Sequence, residues 1–243
     1  MQSQIHSDDD MYVGSLGHYE QCGKQFADII GAAAQRATFS SPRILELPCG
    51  YGRVTRHLVK FFLPEKIVVA DAIAPAVEFC IEQFGVSGIE VGEPLNEFIN
   101  IPNGAFDVAA MGSLITHLSE DSAETVLKHF FSKLTPQGIA LITTHGVRAH
   151  EILLADSNWF ELIPSDREFL KAAYQEDKFG YVQYAPDHSF EKKTVECVGK
   201  SYGISLIPHS WMVKTVNQLG YSVLDYQKGG WDNHQDVFVI AKK

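Results

Sequence analysis

Short apolar runs alternate with amphipathic segments along most of the chain. Five of the runs are predicted to be buried strands. The first ends at residues 44–45, and the others cover residues 67–70, 89–91, 106–111 and 139–144. Apolar side chains recur at helical spacing over residues 18–36, ahead of the first run, and in several segments between the runs. Strands that alternate with helices predict an α/β fold with a parallel, doubly wound sheet.

The pattern changes towards the carboxyl end. Residues 221–227 and 237–241 are strand-like runs separated by a glycine-rich turn, which predicts a hairpin whose last strand is antiparallel. About 75 residues separate the fifth and sixth predicted strands, far more than a helix with short loops requires. This insertion is rich in aromatic residues, and we interpret it as a cap over the substrate. A subdomain that only covers hydrophobic surface is the alternative.

A glycine turn links the first predicted strand to residues 54–62, which are patterned like a helix. Gly50 and Gly52 form the turn, and Glu46 precedes it. The unpaired N–H groups and the dipole of a helix start favour an anionic or polar ligand, and glycine lets the backbone approach that ligand closely. Asp71 ends the second strand, 19 residues after Gly52, where an acid is placed to bind ribose hydroxyls.

Two cofactors fit this arrangement. A dinucleotide site requires a third glycine, whereas position 55 is Thr, and it normally begins directly after the strand without an acid. Glu46 ahead of the turn instead resembles the glycine-rich first motif of class I S-adenosylmethionine-dependent methyltransferases. Pro48 replaces the first glycine that many of those enzymes carry. An α/β protein with a glycine turn and no nucleotide is the remaining alternative.

These patterns divide the chain into four predicted regions. Residues 1–42 are an N-terminal arm and helix, and residues 43–146 form a cofactor-binding core. Residues 147–210 form the inserted substrate cap, and residues 211–243 add a helix and the hairpin that completes the core. At 243 residues the chain is long enough for one such domain with a cap.

Composition and charge narrow the classes of partner. The net charge of −10 argues against a dedicated nucleic-acid binder, which would need a basic surface. The polar start of the chain is unlike a signal peptide, and no apolar run reaches about 18 residues, so we expect no membrane span. The four cysteines lie far apart without a C-x-x-C pattern, which predicts reduced thiols in a cytoplasmic protein.

The elements, taken in this order, resemble the class I methyltransferase fold over residues 43–243. The resemblance implies a mostly parallel, seven-stranded Rossmann-like sheet with a C-terminal antiparallel hairpin and a cap inserted between strands five and six. Within that superfamily, the chain resembles a bacterial group often linked to polysaccharide biosynthesis. The segments that carry this closer resemblance are residues 48–53, 112–118, 143–146, 202–206 and 230–236.

The resemblance also implies a contact for each part of S-adenosylmethionine. Glu46 would hold the methionine amino group, directly or through water, and Asp71 would take the ribose hydroxyls. The turn that lines the methionine part and leads into the helix comprises Leu47, Pro48, Cys49, Gly50, Gly52 and Arg53. The other implied neighbours are Ala72 and Glu93 at the adenine, Met111 and Gly112 at the sulfonium, and Tyr12 and Tyr19 from the arm. Plain helix packing is the alternative role for both tyrosines.

Three histidines follow predicted strand ends. His117 follows the fourth strand, His145 directly follows the fifth, and His234 lies in the turn of the final hairpin. Ligands of open α/β sheets bind beyond the carboxyl ends of the strands, so we expect all three histidines at one face. Methyl transfer to a hydroxyl needs alignment and a base, and histidine suits that role near neutral pH. We therefore predict catalytic roles for His145, His234 and His117.

Other roles stay open for these histidines. His117 could simply fix the loop after the fourth strand by hydrogen bonding. Asp232 and Asp236 flank His234 closely enough in sequence to orient its imidazole. The same three residues could bind a metal, although alternating residues of a strand also simply share one face. We predict no metal.

The sequence therefore predicts a cytoplasmic S-adenosylmethionine-dependent methyltransferase that methylates oxygen on a sugar or glycan precursor. The sugar rests on the resemblance to the bacterial group alone. A small-molecule N- or O-methyltransferase of secondary metabolism is one alternative, and a cofactor-binding partner protein without turnover is another. The three histidines count against the second alternative. We expect a small-molecule or glycan substrate and neither a nucleic-acid nor a membrane partner, and no oligomeric state is indicated.

Overall fold

A computed structural model describes residues 4–156, 158–184 and 202–243. The strands in these ranges are β1 (Ile44–Glu46), β2 (Ile67–Asp71), β3 (Ser87–Glu90), β4 (Phe106–Met111), β5 (Leu134–Thr144), β6 (Gly180–Gln183), β7 (Gly203–Leu206), β8 (Tyr221–Trp231) and β9 (Gln235–Lys242). The α-helices are α1 (Leu16–Arg36), α2 (Thr55–Leu58), α3 (Ala74–Phe84), α4 (Glu120–Phe131), α5 (Val147–Ala155), α6 (Pro164–Gln175) and α7 (His209–Gln218). None of these helices is long and apolar enough to cross a membrane.

Seven of the strands form one sheet in the order β3-β2-β1-β4-β5-β9-β8, and β6 pairs with β7 separately. Strands β1, β2, β3 and β4 pair in parallel, with Ile44 opposite both Ile67 and Val108. Strands β1 and β2 are buried along their whole length, as expected of parallel strands covered on both faces. Strands β8 and β9 are antiparallel. The predicted fold class, including the terminal hairpin, is confirmed.

The chain divides into two compact units. The first comprises the described residues up to Gly112 together with Phe130–Leu141, and the second comprises Ser113–His129 and the described residues from Ile142 onwards. The four regions predicted from the sequence follow different boundaries, and their functional labels stay predictions.

In the first unit, helix α1 packs closely on the turn that follows β1. The Ser15 hydroxyl caps the helix by accepting from the His18 N–H at 3.4 Å. Gly23 lies on the buried face of α1, and a Cβ atom there would meet the Arg53 carbonyl oxygen at 1.9 Å. Only glycine therefore lets this helix approach the backbone of the turn so closely.

In the second unit, the segment predicted to be a cap has a core of its own. Its buried side chains are Ala149, Leu153, Trp159, Leu170, Tyr184, Ile204 and Leu206. Helices α5 and α6 and strand β7 supply five of these seven residues. Part of the aromatic content of the insertion is therefore structural. Two residues weighed in the sequence, Phe190 and Cys197, lie outside the described residues.

Two local predictions are wrong. The fifth strand was predicted over residues 139–144, but β5 begins at Leu134 and also includes residues 136–138. Proline is tolerated there because it lies near the strand start. The helix expected over residues 54–62 is α2, which covers only Thr55–Leu58 before three-residue turns replace it. Pro64 disfavours helical geometry in the residue before it.

Candidate active site

The turn after β1 is held by the acid at the end of β2. One Asp71 carboxylate oxygen accepts from the Gly50 N–H at 2.8 Å, and the other accepts from the Ile73 N–H at 3.0 Å. The Cys49 N–H donates to the Ala70 carbonyl at 3.0 Å. Asp71 therefore fixes the shape of the turn, besides lying where a ribose-binding acid is predicted.

Gly52 is required at its position for two reasons. Its φ of +78° is left-handed, a conformation that costs side-chain-bearing residues free energy. A Cβ atom on Gly52 would also lie 2.4 Å from the Phe84 ring. The glycine spacing seen in the sequence thus reflects both backbone geometry and the close packing of α3 against the turn.

Glu46 is a buried acid at the carboxyl end of β1. Its carboxyl group accepts a hydrogen bond from the Thr55 hydroxyl at 2.7 Å. Burial raises the pKa of Glu46 to about 8, the Thr55 bond opposes that rise, and the charge of Asp71 adds to it. Burial also raises the pKa of Asp71. A buried acid whose pKa is raised without a ligand is suited to receive a cationic group, which favours its ionised form.

The N-terminal arm packs on the same unit through a buried polar network. The Tyr19 hydroxyl donates to the Asp9 carboxylate at 2.5 Å, and an Arg56 N–H donates to the Tyr19 oxygen at 3.3 Å. Burial, together with the Asp9 bond, raises the pKa of Tyr19. Tyr12 meets the Tyr19 ring edge-on with their centroids 5.9 Å apart. Tyr19 therefore anchors the arm, whereas Tyr12 is exposed.

The other positions predicted to contact the cofactor also belong to the first unit. Leu47, Cys49 and Met111 are buried, and Glu93 is exposed. The half-buried positions are Pro48, Gly50, Arg53, Ala72 and Gly112. Their individual contacts with the cofactor stay predictions.

In the second unit, a hydrogen-bond network fixes the loop that leads to His117. The Ser113 N–H donates to the Thr143 hydroxyl at 2.8 Å, and that hydroxyl donates to the Gln235 amide oxygen at 2.6 Å. The Gln235 amide nitrogen donates to the Ser113 hydroxyl. Ser113 adopts a left-handed φ of +60°, which this network stabilises. The loop is therefore built to hold one conformation.

His117 is held by a backbone carbonyl. Its Nδ1 lies 2.9 Å from the Gly203 oxygen, and because a carbonyl only accepts, Nδ1 must carry the proton. The Tyr202 ring stacks on the imidazole at 4.7 Å. Burial lowers the pKa of His117 to about 4, and the charge of His234 contributes. The loop-fixing role weighed in the sequence is thus one that His117 performs.

The three predicted histidines converge within the second unit. The His145 ring lies 4.9 Å from the His234 ring and 6.1 Å from the His117 ring. His234 accepts at Nε2 from the Trp159 indole N–H at 3.2 Å. Burial lowers the pKa of both His145 and His234. All three imidazoles are therefore neutral near pH 7.

The acids flanking His234 do not act as a pair of orienting groups. Asp236 is buried and accepts instead from the Val147 and Gly229 N–H groups, each at 2.8 Å, and from the Tyr226 hydroxyl at 2.7 Å. The charge of Asp232 raises the pKa of His234, against the effect of burial. Among the described residues, no group of three or more histidine, cysteine or acidic side chains is arranged to hold a metal ion.

Several residues of the site were missed in the sequence. Their partners lie 9 to 92 residues away along the chain, and they comprise Asp9, Thr55, Arg56, Gly203 and Gln235. For all of them except Thr55, no local pattern marks the contact. The buried position of Thr55 has a local sign, because it begins the helix directly after the glycine turn. A hydroxyl there is placed to meet the acid before the turn.

Comparison with known proteins identifies the family. A family described as a methyltransferase domain matches residues 17–192, well over half of the chain. No curated protein matches at a significant level.

Solved structures of low sequence identity share the fold. The PH0226 protein from Pyrococcus horikoshii has a TM-score of 0.62 at 14% identity, covering 95% of this chain and 93% of its own. Magnesium protoporphyrin IX methyltransferase from Synechocystis, with bound S-adenosylhomocysteine, has a TM-score of 0.61 at 10% identity, covering 96% and 89%. The 1,6-didemethyltoxoflavin-N1-methyltransferase from Burkholderia thailandensis has a TM-score of 0.58 at 15% identity, covering 92% and 79%.

The family match agrees with the glycine turn between two strand-end acids and with the seven-stranded sheet. Together with the shared fold of the solved methyltransferases, it confirms the predicted superfamily, enzyme class and cofactor, whereas it carries no sign of the polysaccharide-linked group. The chain belongs to the methyltransferase domain family and is an S-adenosylmethionine-dependent methyltransferase.

Proposed function

We propose that the protein methylates a hydroxyl oxygen of a sugar or glycan precursor, with a histidine as general base. The observation that supports His117 as the general base is the hydrogen bond between its Nδ1 and the Gly203 carbonyl. Because Nδ1 is protonated in that bond, Nε2 holds the lone pair and is free to take a proton. The group resemblance in the sequence supports the sugar.

The other two histidines are less suited to be the base. Nε2 of His234 already accepts the Trp159 N–H, so its lone pair is engaged. Both ring nitrogens of His145 are buried without a partner, so an acceptor reaches them only after neighbouring side chains move. These contacts favour His117 as the base, whereas the sequence analysis named His145 first.

The electrostatics of the cluster favour a neutral acceptor. Burial keeps the pKa values of all three imidazoles low, so they carry no charge near neutral pH. Aromatic rings pack around them: Trp159, Phe160, Tyr184 and Tyr202. Flat apolar faces beside neutral polar groups suit a sugar ring, which has apolar faces and a polar edge.

The test is product analysis after incubation with S-adenosylmethionine and candidate nucleotide sugars. Mass spectrometry should reveal a methylated sugar. His117→Gln keeps a side-chain donor for the Gly203 carbonyl but cannot take a proton, so the rate should fall about 10²–10⁴-fold. His129→Gln, which changes a histidine on α4 outside the cluster, should leave the rate unchanged. A His117→Gln variant of full activity would exclude this base.

Methylation of a heterocyclic small molecule is the second candidate. It is favoured by the aromatic rings around the histidines and by the similar fold of the B. thailandensis enzyme, which is a toxoflavin-precursor N1-methyltransferase. Heteroaromatic alcohols and ring N–H compounds belong in the same product assay. Methylation of these compounds without any methylated sugar would favour this candidate.

A further inference from the structure

His145 is a buried side chain without hydrogen bonds. It is 1% exposed, and neither Nδ1 nor Nε2 has a partner. The main chain of Ser205 lies close enough to raise the pKa of His145 against the effect of burial, but the contact falls outside strict hydrogen-bond geometry. His145 is the one buried side chain among the described residues with two unpartnered polar atoms. Its own carbonyl, in contrast, accepts from the Ile207 N–H at 2.8 Å.

The polar groups nearest to His145 are directed elsewhere. The Trp159 indole N–H, on a ring 5.5 Å away, donates to His234. Nδ1 of His117 donates to Gly203. A buried histidine with a purely structural role is expected to have hydrogen-bond partners, because a buried polar group without one costs free energy. The donor and the acceptor of the His145 ring are therefore available to a ligand.

Phe160 is one of the aromatic rings that cover His145. Its centroid lies 5.3 Å from that of His145, and its ring is nearly parallel to His234 at 5.9 Å. His117, Trp159 and His234 each take part in a side-chain hydrogen bond, whereas a phenyl ring has no atom for one. Phe160 also has a left-handed φ of +52°, which is strained for an aromatic residue.

We propose that His145 recognises the methyl acceptor, by hydrogen bonding between its ring nitrogens and neutral polar groups of the acceptor once Phe160 moves aside. This inference rests on the proposed function, because it concerns the acceptor of the same transfer. A hydroxyl matches the imidazole, since it can donate to the ring nitrogen that holds the lone pair or accept from the one that carries the proton. Sugars and phenols share this chemistry, whereas carboxylate, phosphate and ammonium groups would be buried without a countercharge.

The role of Phe160 as the cover over His145 is tested by the chemical reactivity of His145. Diethyl pyrocarbonate modifies neutral imidazole nitrogens, and peptide mapping gives a rate for each histidine. In Phe160→Ala, His145 should react about tenfold faster than in the wild type, which corresponds to an opening easier by about 1.4 kcal/mol. Phe169→Ala, which removes an exposed phenyl ring from α6, is the matched control and should leave the rate unchanged. Equal His145 rates in the wild type and Phe160→Ala would overturn the role of Phe160.

The recognition role is tested with ligands and with stability. Methyl α-D-glucopyranoside and catechol represent the sugar and the phenol, and ¹⁵N resonances of His145 should shift with one of them. His145→Phe and the smaller His145→Leu should raise the thermal midpoint, because they remove unpaired buried atoms, while binding of that probe is lost. Unshifted His145 resonances with both probes, or a lower midpoint in both variants, would overturn the proposal.

The outcome is separable from that of the proposed function. If the wild type methylates no sugar, phenol or heterocycle, the proposed function fails. The reactivity, resonance and stability measurements need no turnover, so they still decide the role of His145. Binding of S-adenosylhomocysteine by the His145 variants should match the wild type, and a large loss would point to misfolding rather than lost recognition.

Discussion

Two buried acids, Glu46 and Asp71, end the neighbouring strands β1 and β2. Their hydrogen-bond donors are neutral: the Thr55 hydroxyl for Glu46, and the Gly50 and Ile73 amides for Asp71. Neutral donors replace lost hydration only in part, so burial raises the pKa of both acids, that of Glu46 to about 8. A cationic ligand group beside Glu46 would restore its ionised form.

We therefore expect cofactor binding to release a proton. S-Adenosylhomocysteine carries an α-ammonium group, and at pH 7 the free Glu46 carboxyl, with its pKa of about 8, is mostly protonated. Binding should release nearly one proton at pH 7 and little above about pH 9. Calorimetry in buffers of different ionisation enthalpy measures this release. Glu46→Gln should bind without it, and a wild-type heat that does not depend on the buffer would refute the contact between Glu46 and the ammonium.

Asp71→Ala should weaken cofactor binding and destabilise the turn. Each charge-assisted hydrogen bond to the ribose is worth about 1.5–3 kcal/mol, so the affinity for S-adenosylhomocysteine should fall at least about tenfold. The Gly50 and Ile73 amides also lose their acceptor, which should lower the thermal midpoint. Asp107→Ala, which removes similar bonds to Thr135 and to the Arg43 amide, is the control. Equal affinities in both variants would exclude Asp71 as the ribose ligand.

The acid limb of the pH–rate profile should reflect the lowered pKa of His117. An ordinary histidine would lose activity below about pH 6.5. Burial lowers the pKa of His117 to about 4, so we expect kcat/KM to stay level from pH 8 down to about pH 5 and to fall only near pH 4. A limb centred near pH 6.5 in the wild type would mean that another group is the base.

At the scale of elements, Asp236 joins the start of α5 to the β8–β9 hairpin. Its carboxylate accepts from Val147 at the first position of α5, from Gly229 on β8 and from the Tyr226 hydroxyl. A Cβ atom on Gly146 would lie 2.3 Å from one of its oxygens, so glycine is required there. The His145–Gly146 turn is thus fixed from the hairpin.

Asp236→Ala should be strongly destabilising. It leaves three half-buried donors without this acceptor, and each unsatisfied buried group costs about 1–3 kcal/mol, less where water reaches it, so the free energy of unfolding should fall by about 2 kcal/mol or more. Urea unfolding followed by tryptophan fluorescence measures the change. Asp232→Asn, at an exposed position with a left-handed φ that asparagine tolerates, should change it by less than about 0.5 kcal/mol. Similar effects from both variants would contradict the joining role.

At the scale of the whole molecule, the histidine cluster of the second unit and Glu46 of the first unit respond to pH in opposite directions. Folded pKa values below 6.5 at His117, His145 and His234 mean that the unfolded chain binds more protons, so the second unit loses stability as pH falls below 6.5. Glu46, whose pKa rises from 4.5 to about 8 in the first unit, costs stability as pH rises through that range.

Tryptophan fluorescence should report the histidine effect. All three tryptophans, Trp159, Trp211 and Trp231, belong to the second unit. We expect the urea midpoint detected by fluorescence to fall between pH 7 and pH 5, because protonation then favours the unfolded chain. His145→Phe should make this dependence shallower, since one of the buried imidazoles is gone. A midpoint that rises on acidification would show that the histidines are not buried in their neutral forms.

The glycine turn and the two acids at the strand ends could be predicted because their signals are local. Glu46, Gly52 and Asp71 lie at strand ends and in a tight turn, where chain geometry restricts the residue types over a few positions. The hairpin and the parallel strands likewise follow from periodicity. The rule that ligands bind at the carboxyl ends of parallel strands also predicted that the three histidines lie close together.

The tertiary structure decided what each of those groups does. The proton on His117 is fixed by Gly203, the lone pair of His234 is engaged by Trp159, and His145 is left unpaired. Asp236, which the sequence placed beside His234, binds the start of α5 instead. Hydrogen bonding and burial depend on partners tens of residues away in the chain, and periodicity in a short window carries no information about them. The sequence by itself therefore determined the fold and the glycine turn. Only packing decided the protonation and the hydrogen-bond partners of the histidines.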